Sequence, residues 1–364
     1  MSFWIRNGLL CLLALVAQAA FAAEPTADRQ NKEQAGEEGR NFQATIPVFF
    51  ATDRRQEAPA LVFKEQVTEN IDYLNFGVIN EKIKVKNFHQ ENKLNSCSYS
   101  RLSSEESTSS KPVFFPKMPD DGTFDFAQLA EKMKESKGKD KGVIVHVHGC
   151  CMGFSHAAVD AALTSAWLDT PVVLYDWGSP FGAYAGSLQA CERSQQRFNK
   201  FMGQLTKEVA PEKITIVGFS LGNQLIVDYL LQTDEKRRFK DLILTRPDLD
   251  LVTFQSHLPK ISPKANQIHL YFARNDIALH FSSGLRKLVS PWSTSKRLGT
   301  SKNGFAQYEN ITVLDVSKID GLHTIPNAVM ADMQKNHGVI PQNSDRFKYT
   351  LAENGVFEVS RLGK

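Results

Sequence analysis

One short segment carries residues whose types and spacing suit nucleophilic chemistry. Residues 213–227 contain Gly218, Ser220 and Gly222 in a Gly-x-Ser-x-Gly pattern, between a β-branched apolar run and an apolar helical pattern. A strand, a sharp turn and a helix in this order form a nucleophile elbow, which presents a serine hydroxyl at the end of a sheet. Glycines are needed on both sides because a Cβ would crowd the strand against the departing helix. Ser220 is the predicted nucleophile, and a Gly-Ser turn without chemistry is the alternative.

A serine hydroxyl needs a base to accept its proton and an acid to orient that base. In elbow proteins the acid and the histidine follow the serine along the chain, each after a later strand. Asp276 directly follows the apolar run 268–272, and His323 comes shortly after the run 311–316. We predict these two as the acid and the base, with Asp248, at the end of the preceding strand, as the alternative acid.

The same chemistry needs two N–H donors aimed at the oxyanion of the transition state. The backbone N–H of Leu221 is one predicted donor, because it follows the nucleophile directly. The second is expected from the turn 148–153, which follows the apolar run 143–147. We favour Cys150 for this role, with Cys151 as the alternative.

The N-terminal residues have the pattern of a secretory signal peptide. Arg6 precedes an apolar run over residues 8–17, and small residues at Ala20 and Ala22 suit a signal peptidase. The run is too short to span a hydrocarbon layer of about 30 Å. We predict cleavage before Ala23 and a periplasmic or secreted protein, with an uncleaved membrane anchor as the alternative.

Export places the remaining cysteines in an oxidising compartment. Four lie outside the signal segment, at Cys97, Cys150, Cys151 and Cys191. A bond between adjacent cysteines strains the backbone, so we expect either a bridge from the pair to Cys97 or Cys191, or buried free thiols. His146 and His148 lie near the pair, but the spacing lacks the second ligand pair of a metal site. We predict no metal and no organic cofactor.

From residue 142 onward, short apolar runs alternate with stretches of helical periodicity. The runs typical of strands covered on both faces are 143–147, 172–175, 214–217, 242–244, 268–272 and 311–316. This alternation predicts an α/β fold, a mostly parallel twisted sheet with helices on both faces. Earlier strands are expected at 46–53, 76–79 and 83–85, and a C-terminal hairpin around Asn354-Gly355.

The predicted organisation is a signal peptide (1–22), a disordered linker (23–45), one α/β domain (46–335) and a C-terminal tail with the hairpin (336–364). Of the residues, 42% are hydrophobic, which excludes wholesale disorder. The formal net charge is +3, and no dense basic tract indicates a nucleic-acid or anionic-membrane partner.

These motifs together resemble the α/β-hydrolase superfamily, and within it a bacterial branch of uncharacterised serine hydrolases. The resemblance covers about residues 46–335 and rests on segments 48–54, 75–77, 148–149, 176–179, 218–223, 246–250 and 275–279, and on His323. It implies an acyl-hydrolase fold and the same triad of Ser220, Asp276 and His323. The adjacent cysteines at 150 and 151 depart from the branch, which usually has an aromatic residue and an asparagine there.

The sequence therefore predicts an exported serine hydrolase that cleaves an ester-like acyl bond through an acyl-enzyme. No long insertion follows Asp248, which favours small or accessible acyl substrates over those of lidded lipases. One alternative is a non-catalytic envelope binding or scaffold protein on the same fold. Another is a thiol protein whose chemistry centres on Cys150. The pattern makes no prediction of oligomeric state.

Overall fold

A computed structural model of the chain describes most of the predicted α/β domain and the C-terminal segment. The described residues are 42–57, 62–67, 74–85, 113–114, 126–135, 142–180, 184–289, 296–302, 305, 307–319, 323–335, 341–352 and 354–362. The predicted signal segment, most of the predicted linker and Cys97 lie outside this part of the chain. Within it, no helix combines the length and the apolar character that crossing a membrane requires.

The strands form one large mixed sheet and a small separate ribbon. They are β1 (Phe42–Thr52), β2 (Arg54–Glu57), β3 (Val62–Val67), β4 (Asn75–Val85), β5 (Val113–Phe114), β6 (Val143–Val147), β7 (Val172–Asp176), β8 (Ile214–Phe219), β9 (Phe239–Thr245), β10 (Ala265–Phe272), β11 (Ile311–Asp315), β12 (Phe347–Leu351) and β13 (Val356–Arg361). Eleven of them pair in the order β12-β13-β11-β10-β9-β8-β6-β7-β1-β4-β5, and β2 pairs with β3. Every pairing from β13 to β1 in this order is parallel. The predicted mostly parallel sheet is confirmed.

Helices cover both faces of this sheet. They are α1 (Phe126–Glu135), α2 (Phe154–Leu168), α3 (Tyr184–Glu208), α4 (Gly222–Gln232), α5 (Leu251–Ile261), α6 (Ile277–Val289) and α7 (Asn327–Lys335). Because side chains alternate along a strand, Val143, Val145 and Val147 join one core with α1, α3, α4 and α5, while Ile144 joins the other with α2 and α7. Burial on both faces explains why the central strands are continuous apolar runs.

Two strands at the N-terminal side of the sheet differ from the prediction. β1 begins at Phe42, inside the predicted linker, because its first residues pair antiparallel with β4, from Phe42 opposite Val85 to Thr45 opposite Lys82. The two predicted strands at 76–79 and 83–85 are one continuous strand, β4. Apolar pattern alone misses both features because the backbone pairing continues through polar residues.

The predicted C-terminal hairpin is confirmed. β12 and β13 pair antiparallel, and β13 also lies parallel to β11, so the hairpin extends the sheet. The parallel strands β6 to β11 all end at the same edge of the sheet, which we name the carboxyl edge. The predicted site residues follow these strand ends, so the topology brings segments that are remote in the chain to one edge.

Candidate active site

The segment around Ser220 forms a sharp turn between β8 and α4. Ser220 has a positive φ of 50°, a conformation that non-glycine residues rarely adopt. A Cβ on Gly218 would lie 2.3 Å from Asn223 Oδ1, and one on Gly222 would lie 2.2 Å from the His148 carbonyl oxygen. Both positions therefore require glycine, as expected for an elbow whose strand, turn and helix are in close contact.

Backbone strain is concentrated at this edge. The described non-glycine residues with positive φ are Cys151, Asp169, Ser220 and Arg246. Asp169 ends a helix in the left-handed conformation, which is common at helix ends. The other three all follow strands that end at the carboxyl edge. Such conformations cost on the order of 1–3 kcal/mol each and cluster at functional sites.

His323 and Asp276 are brought together from loops after β11 and β10. His323 Nδ1 donates to Asp276 Oδ2 over 2.7 Å. The imidazole also contacts the ring of Phe219, the residue before Ser220, with ring centroids 4.8 Å apart. Among the described residues, no hydrogen bond joins the Ser220 hydroxyl to this imidazole. In ligand-free sites such bonds are often long and shorten only when substrate is bound.

A buried arginine holds the acid and the histidine loop together. Arg246 is fully buried, and its Nη1 lies 3.1 Å from Asp276 Oδ2. Its Nε donates to the carbonyl oxygen of Thr324, next to His323, over 2.8 Å. Sequence analysis missed this role, because only the fold brings residue 246 to residues 276 and 324. An arginine in the left-handed conformation directly after β9 is the local feature that marks it.

These contacts keep Asp276 ionised. Burial by itself raises the pKa of Asp276, but the hydrogen bond from His323 and the charge of Arg246 outweigh burial, so the pKa lies below its ordinary value. The backbone N–H of Leu279 donates to the other carboxylate oxygen of Asp276, Oδ1, over 3.1 Å. An ionised carboxylate at this place favours the imidazole tautomer that carries its proton on Nδ1.

Asp248, the alternative acid, has other partners. Its Oδ2 accepts from the Tyr184 hydroxyl over 2.5 Å, and its Oδ1 accepts from Ser282 Oγ over 3.0 Å. Its backbone N–H donates to the carbonyl oxygen of Ser220 over 3.1 Å. Asp248 therefore lies beside the elbow, while the carboxylate that His323 contacts is Asp276.

The loop after β6 lies against the elbow. A Cβ on Gly149 would lie 3.0 Å from both Phe219 Cδ1 and Ser220 Cβ, so this loop reaches the predicted nucleophile. The backbone N–H of Cys151 donates to Ser179 Oγ over 2.6 Å. That donor is already used, which favours the N–H of Cys150 over that of Cys151 for an oxyanion.

A buried polar network braces this loop. The His148 ring stacks on Trp177, with centroids 5.2 Å apart, and its Nε2 lies 3.2 Å from Asp176 Oδ1. Arg54 contacts the same carboxylate and donates from Nη2 to the Met152 carbonyl oxygen over 2.7 Å. His148 is therefore a bracing residue. Burial raises the pKa of Asp176, but Arg54 and His148 outweigh it and lower that pKa below its ordinary value.

The described cysteines are free thiols. Cys150 and Cys151 are partly buried, and Cys191 is buried on α3. The expected bridge from the adjacent pair to Cys191 is wrong for this structure; the Cys151 thiol contacts Ser187 Oγ at 3.9 Å, while Cys191 packs in the apolar core. A bridge from the pair to Cys97 stays a prediction, because Cys97 lies outside the described residues.

Comparison with known proteins extends this description. The model of a family described as "Alpha/beta hydrolase of unknown function (DUF900)" matches residues 125–335. No curated protein matches the chain. Among solved structures, the chain is similar to a hyperthermophilic esterase from Pyrobaculum calidifontis (11% identity, 92% of this chain, 93% of that chain, TM-score 0.33). It is also similar to EstE1, a carboxylesterase cloned from a metagenomic library (12% identity, 92% of this chain, 98% of that chain, TM-score 0.31).

A third similar structure is a puromycin-hydrolyzing peptidase from Mycobacterium tuberculosis (12% identity, 74% of this chain, TM-score 0.32), of which the chain spans 47%. The family model, by contrast, matches more than half of the chain, and the matched residues include the elbow, Asp276 and His323. The protein therefore belongs to the alpha/beta hydrolases of the DUF900 family, whose function is unknown.

Proposed function

We propose that this hydrolase is a serine hydrolase that cleaves an ester-like acyl bond. The observation that carries the proposal is the 2.7 Å hydrogen bond from His323 to Asp276, next to the Phe219 ring and the strained elbow residue Ser220. A hydroxyl, an imidazole and a carboxylate at one edge of the sheet are the components of a catalytic triad.

The geometry supports one assignment of steps. With the Nδ1 proton of His323 donated to Asp276, its Nε2 is the free base of the imidazole. Ser220 Oγ attacks the carbonyl carbon while Nε2 takes the hydroxyl proton, and the same proton then passes to the leaving group. Water, activated by Nε2, hydrolyses the resulting acyl-enzyme and restores the serine.

The oxyanion is assigned to backbone donors. The N–H groups of Leu221 and Cys150 stabilise the negative charge on the carbonyl oxygen in the transition state. Removing one such donor typically costs 10²–10³ in kcat. The assignment of Cys150 rests on the contact of its loop with Ser220 and on the use of the Cys151 N–H by Ser179.

Substrate size and export complete the proposal. The substrate is a small or accessible acyl compound, since the segment between Asp248 and β10 is occupied by α5 and a short 3-10 helix, with no room for a lid domain. The pattern of residues 1–22 supports export to the periplasm or the medium.

A fluorophosphonate probe tests the nucleophile. The serine oxygen displaces fluoride from phosphorus and leaves a covalent adduct, and only an activated serine reacts at a useful rate. We expect the purified chain to be labelled, Ser220→Ala to remain unlabelled, and Ser256→Ala, an exposed serine on α5, to label like the wild type.

Two results would contradict the proposal. A wild-type chain that stays unlabelled and turns over no ester, thioester or amide is a binding or scaffold protein. Labelling that persists in Ser220→Ala indicates another nucleophile. The thiol alternative predicts in addition that Cys150→Ser removes activity while Ser220→Ala spares it.

A further inference from the structure

A second group of charged side chains surrounds the Asp248 carboxylate, beside the elbow. We name Tyr184, Asp248, Ser282, Arg286 and Arg297 the Asp248 cluster. The Tyr184 hydroxyl donates to Asp248 and accepts from Arg286 Nε over 2.8 Å. Arg297 Nε lies 3.3 Å from Asp248 Oδ1. None of these side chains takes part in the triad, so the cluster has no role in the steps proposed above.

Arg297 is buried without hydrogen-bond partners. Its side chain is 1% exposed, and the 3.3 Å approach to Asp248 is an ion pair without hydrogen-bond geometry. Within the described residues, Nε, Nη1 and Nη2 all lack an acceptor. A guanidinium cannot be deprotonated in a protein, and burying its N–H donors without acceptors costs free energy. Such a group is expected where a ligand supplies the missing acceptors.

The positive charge of the cluster exceeds its negative charge. The charge of Asp248 acts on both Arg286 and Arg297, and the charge of Asp250 acts on Arg297 as well. Tyr184 does not add a negative charge, because burial, followed by the charge of Asp248, raises the pKa of its hydroxyl. The side chain of Asp250 caps α5 by accepting from the N–H of Thr253 over 2.9 Å. Neither carboxylate accepts a hydrogen bond from Arg297, so its N–H donors have no acceptor among the described residues.

The surroundings shift the pKa values of the two arginines in opposite directions. Burial lowers the pKa of Arg286, but the neighbouring Asp248 and Tyr184 outweigh burial and the pKa is raised. Burial, aided by the charge of Arg286, lowers the pKa of Arg297, and the charges of Asp248, Tyr184 and Asp250 only partly offset this. Arg297 is the member of the cluster that gains most from an added anion.

Backbone hydrogen bonds connect the Asp248 cluster to the proposed catalytic site. The Asp248 N–H donates to the Ser220 carbonyl oxygen, and the segment that carries Arg297 pairs with the same loop, through Leu298 N–H to the Leu249 carbonyl oxygen over 2.9 Å. The Cys150 thiol has a pKa raised by its contact with Cys151, by burial and by the charge of Asp248. The Asp248 carboxylate thus acts on the loop assigned to the oxyanion.

We propose that Arg297, supported by Arg286, binds an oxyanion group of the substrate, a carboxylate or a phosphate, while Ser220 attacks the carbonyl of the same molecule. The inference rests on the proposed function and adds the substrate class: acyl compounds that carry a negative group. A planar guanidinium presents paired N–H donors that match a carboxylate or phosphate in a bidentate contact.

Matched esters test the inference. We compare p-nitrophenyl hexanoate with the mono-p-nitrophenyl ester of adipic acid, and the octanoate with the suberate, so that each pair differs in a terminal carboxylate. We expect the full-length wild type to have a higher kcat/KM for an acidic ester than for its neutral match. Arg297→Gln lowers this ratio by about tenfold or more, while kcat/KM for the neutral ester stays within about threefold.

Control variants separate loss of the site from loss of the fold. Arg237→Gln, at the amino end of β9 and paired with Glu235, should leave the ratio unchanged. If Arg297→Gln fails to fold by circular dichroism, Arg286→Gln on α6 and Arg297→Lys, which keeps the charge, replace it and should lower the ratio by a smaller factor. Inorganic phosphate, tested as an inhibitor of hexanoate hydrolysis, distinguishes a phosphate site from a carboxylate site.

The outcomes separate this inference from the proposed function. The inference would be overturned by equal kcat/KM values for acidic and neutral esters together with no inhibition by phosphate. It would also be overturned if the ratio of these values were unchanged in the arginine variants. Either result would leave the proposed serine hydrolase function standing. If no ester is turned over, the proposed function fails, and calorimetric titration with adipate and phosphate decides the inference. Binding that is lost in Arg297→Gln supports the anion site, whereas equal or absent binding overturns it.

Discussion

Asp276 and Asp248 are both buried at the carboxyl edge and both contact arginine, yet their surroundings differ. The Asp276 carboxylate faces one arginine, Arg246, whose remaining contacts include the Thr324 carbonyl, and it accepts from His323. The Asp248 carboxylate faces two arginines, one of which has no hydrogen-bond partner among the described residues. The two sites differ in that Arg246, beside Asp276, donates hydrogen bonds, whereas Arg297, beside Asp248, donates none within the described part of the chain.

This difference indicates two kinds of site. A hydrogen-bonded carboxylate that orients an imidazole needs nothing further and suits the acid of a triad. A buried guanidinium whose N–H groups have no acceptor retains donors for a ligand anion. Residue type and burial alone therefore do not separate a catalytic acid from a recognition group, whereas the hydrogen-bond partners do.

Replacing Arg246, beside Asp276, and Arg297, beside Asp248, should lower the free energy of unfolding by different amounts. Arg246→Met leaves the Asp276 carboxylate and the Thr324 carbonyl without their partner, so we expect a loss of about 3–5 kcal/mol in the free energy of unfolding. Arg297→Met removes a charge that lacks hydrogen bonds, and Asp248 keeps Tyr184 and Ser282, so the expected loss is below about 1 kcal/mol. Urea denaturation measures both. Equal losses would show that the two clusters are not different in the way described.

His146 provides a contrast that sharpens the argument about Arg297. It is fully buried at the centre of the sheet, and neither ring nitrogen has a hydrogen-bond partner within the described part of the chain. An imidazole can lose its proton, and burial lowers the pKa of His146 to about 3. A buried histidine therefore tolerates the absence of partners by being neutral, which an arginine cannot do.

The lowered pKa of His146 predicts a pH dependence of stability. The unfolded chain binds a proton at this histidine near its ordinary pKa of about 6.5, and the folded chain does not. The contribution is complete above that pH and is lost as pH falls from about 6.5 towards 3. Between pH 7 and pH 5 the wild type should lose about 2 kcal/mol through this group, at 1.36 kcal/mol per pKa unit.

The His146→Leu variant isolates this term, because leucine is neutral at every pH. Urea denaturation at pH 7 and pH 5 should give a smaller decrease in stability for the variant than for the wild type. His269, a second buried histidine with a lowered pKa, remains in both proteins and accounts for part of the residual slope. An unchanged decrease in His146→Leu would contradict the assignment.

Much of this arrangement was predictable from sequence, because its signals are local. The glycines around Ser220 and the apolar runs that form β6 to β11 depend on neighbouring residues only, and the order of strands places Asp276 and His323 at one edge. In the structure these two side chains form a hydrogen bond, as the strand order led us to expect.

The remaining features depend on contacts between distant segments. Arg246 and Asp248 both follow β9, and Asp276 follows β10. The neighbouring sequence does not indicate that Arg246 pairs with Asp276 while Arg297 pairs with Asp248. The extension of β1 to Phe42 depends likewise on pairing with β4 through polar residues. The absence of a bridge from Cys150 or Cys151 to Cys191 depends on where α3 places Cys191 in the core.

The central claim is that Asp276 is the acid of the triad and that Asp248 is not. Its most direct test is to measure kcat on p-nitrophenyl hexanoate for Asp276→Asn and Asp248→Asn. An amide at 276 no longer stabilises the imidazolium and favours the wrong tautomer of His323, so we expect kcat to fall by about 10³–10⁴. Asp248→Asn should keep kcat within about tenfold of the wild type. A larger loss in Asp248→Asn, or an Asp276→Asn enzyme within about tenfold of the wild type, would contradict the account.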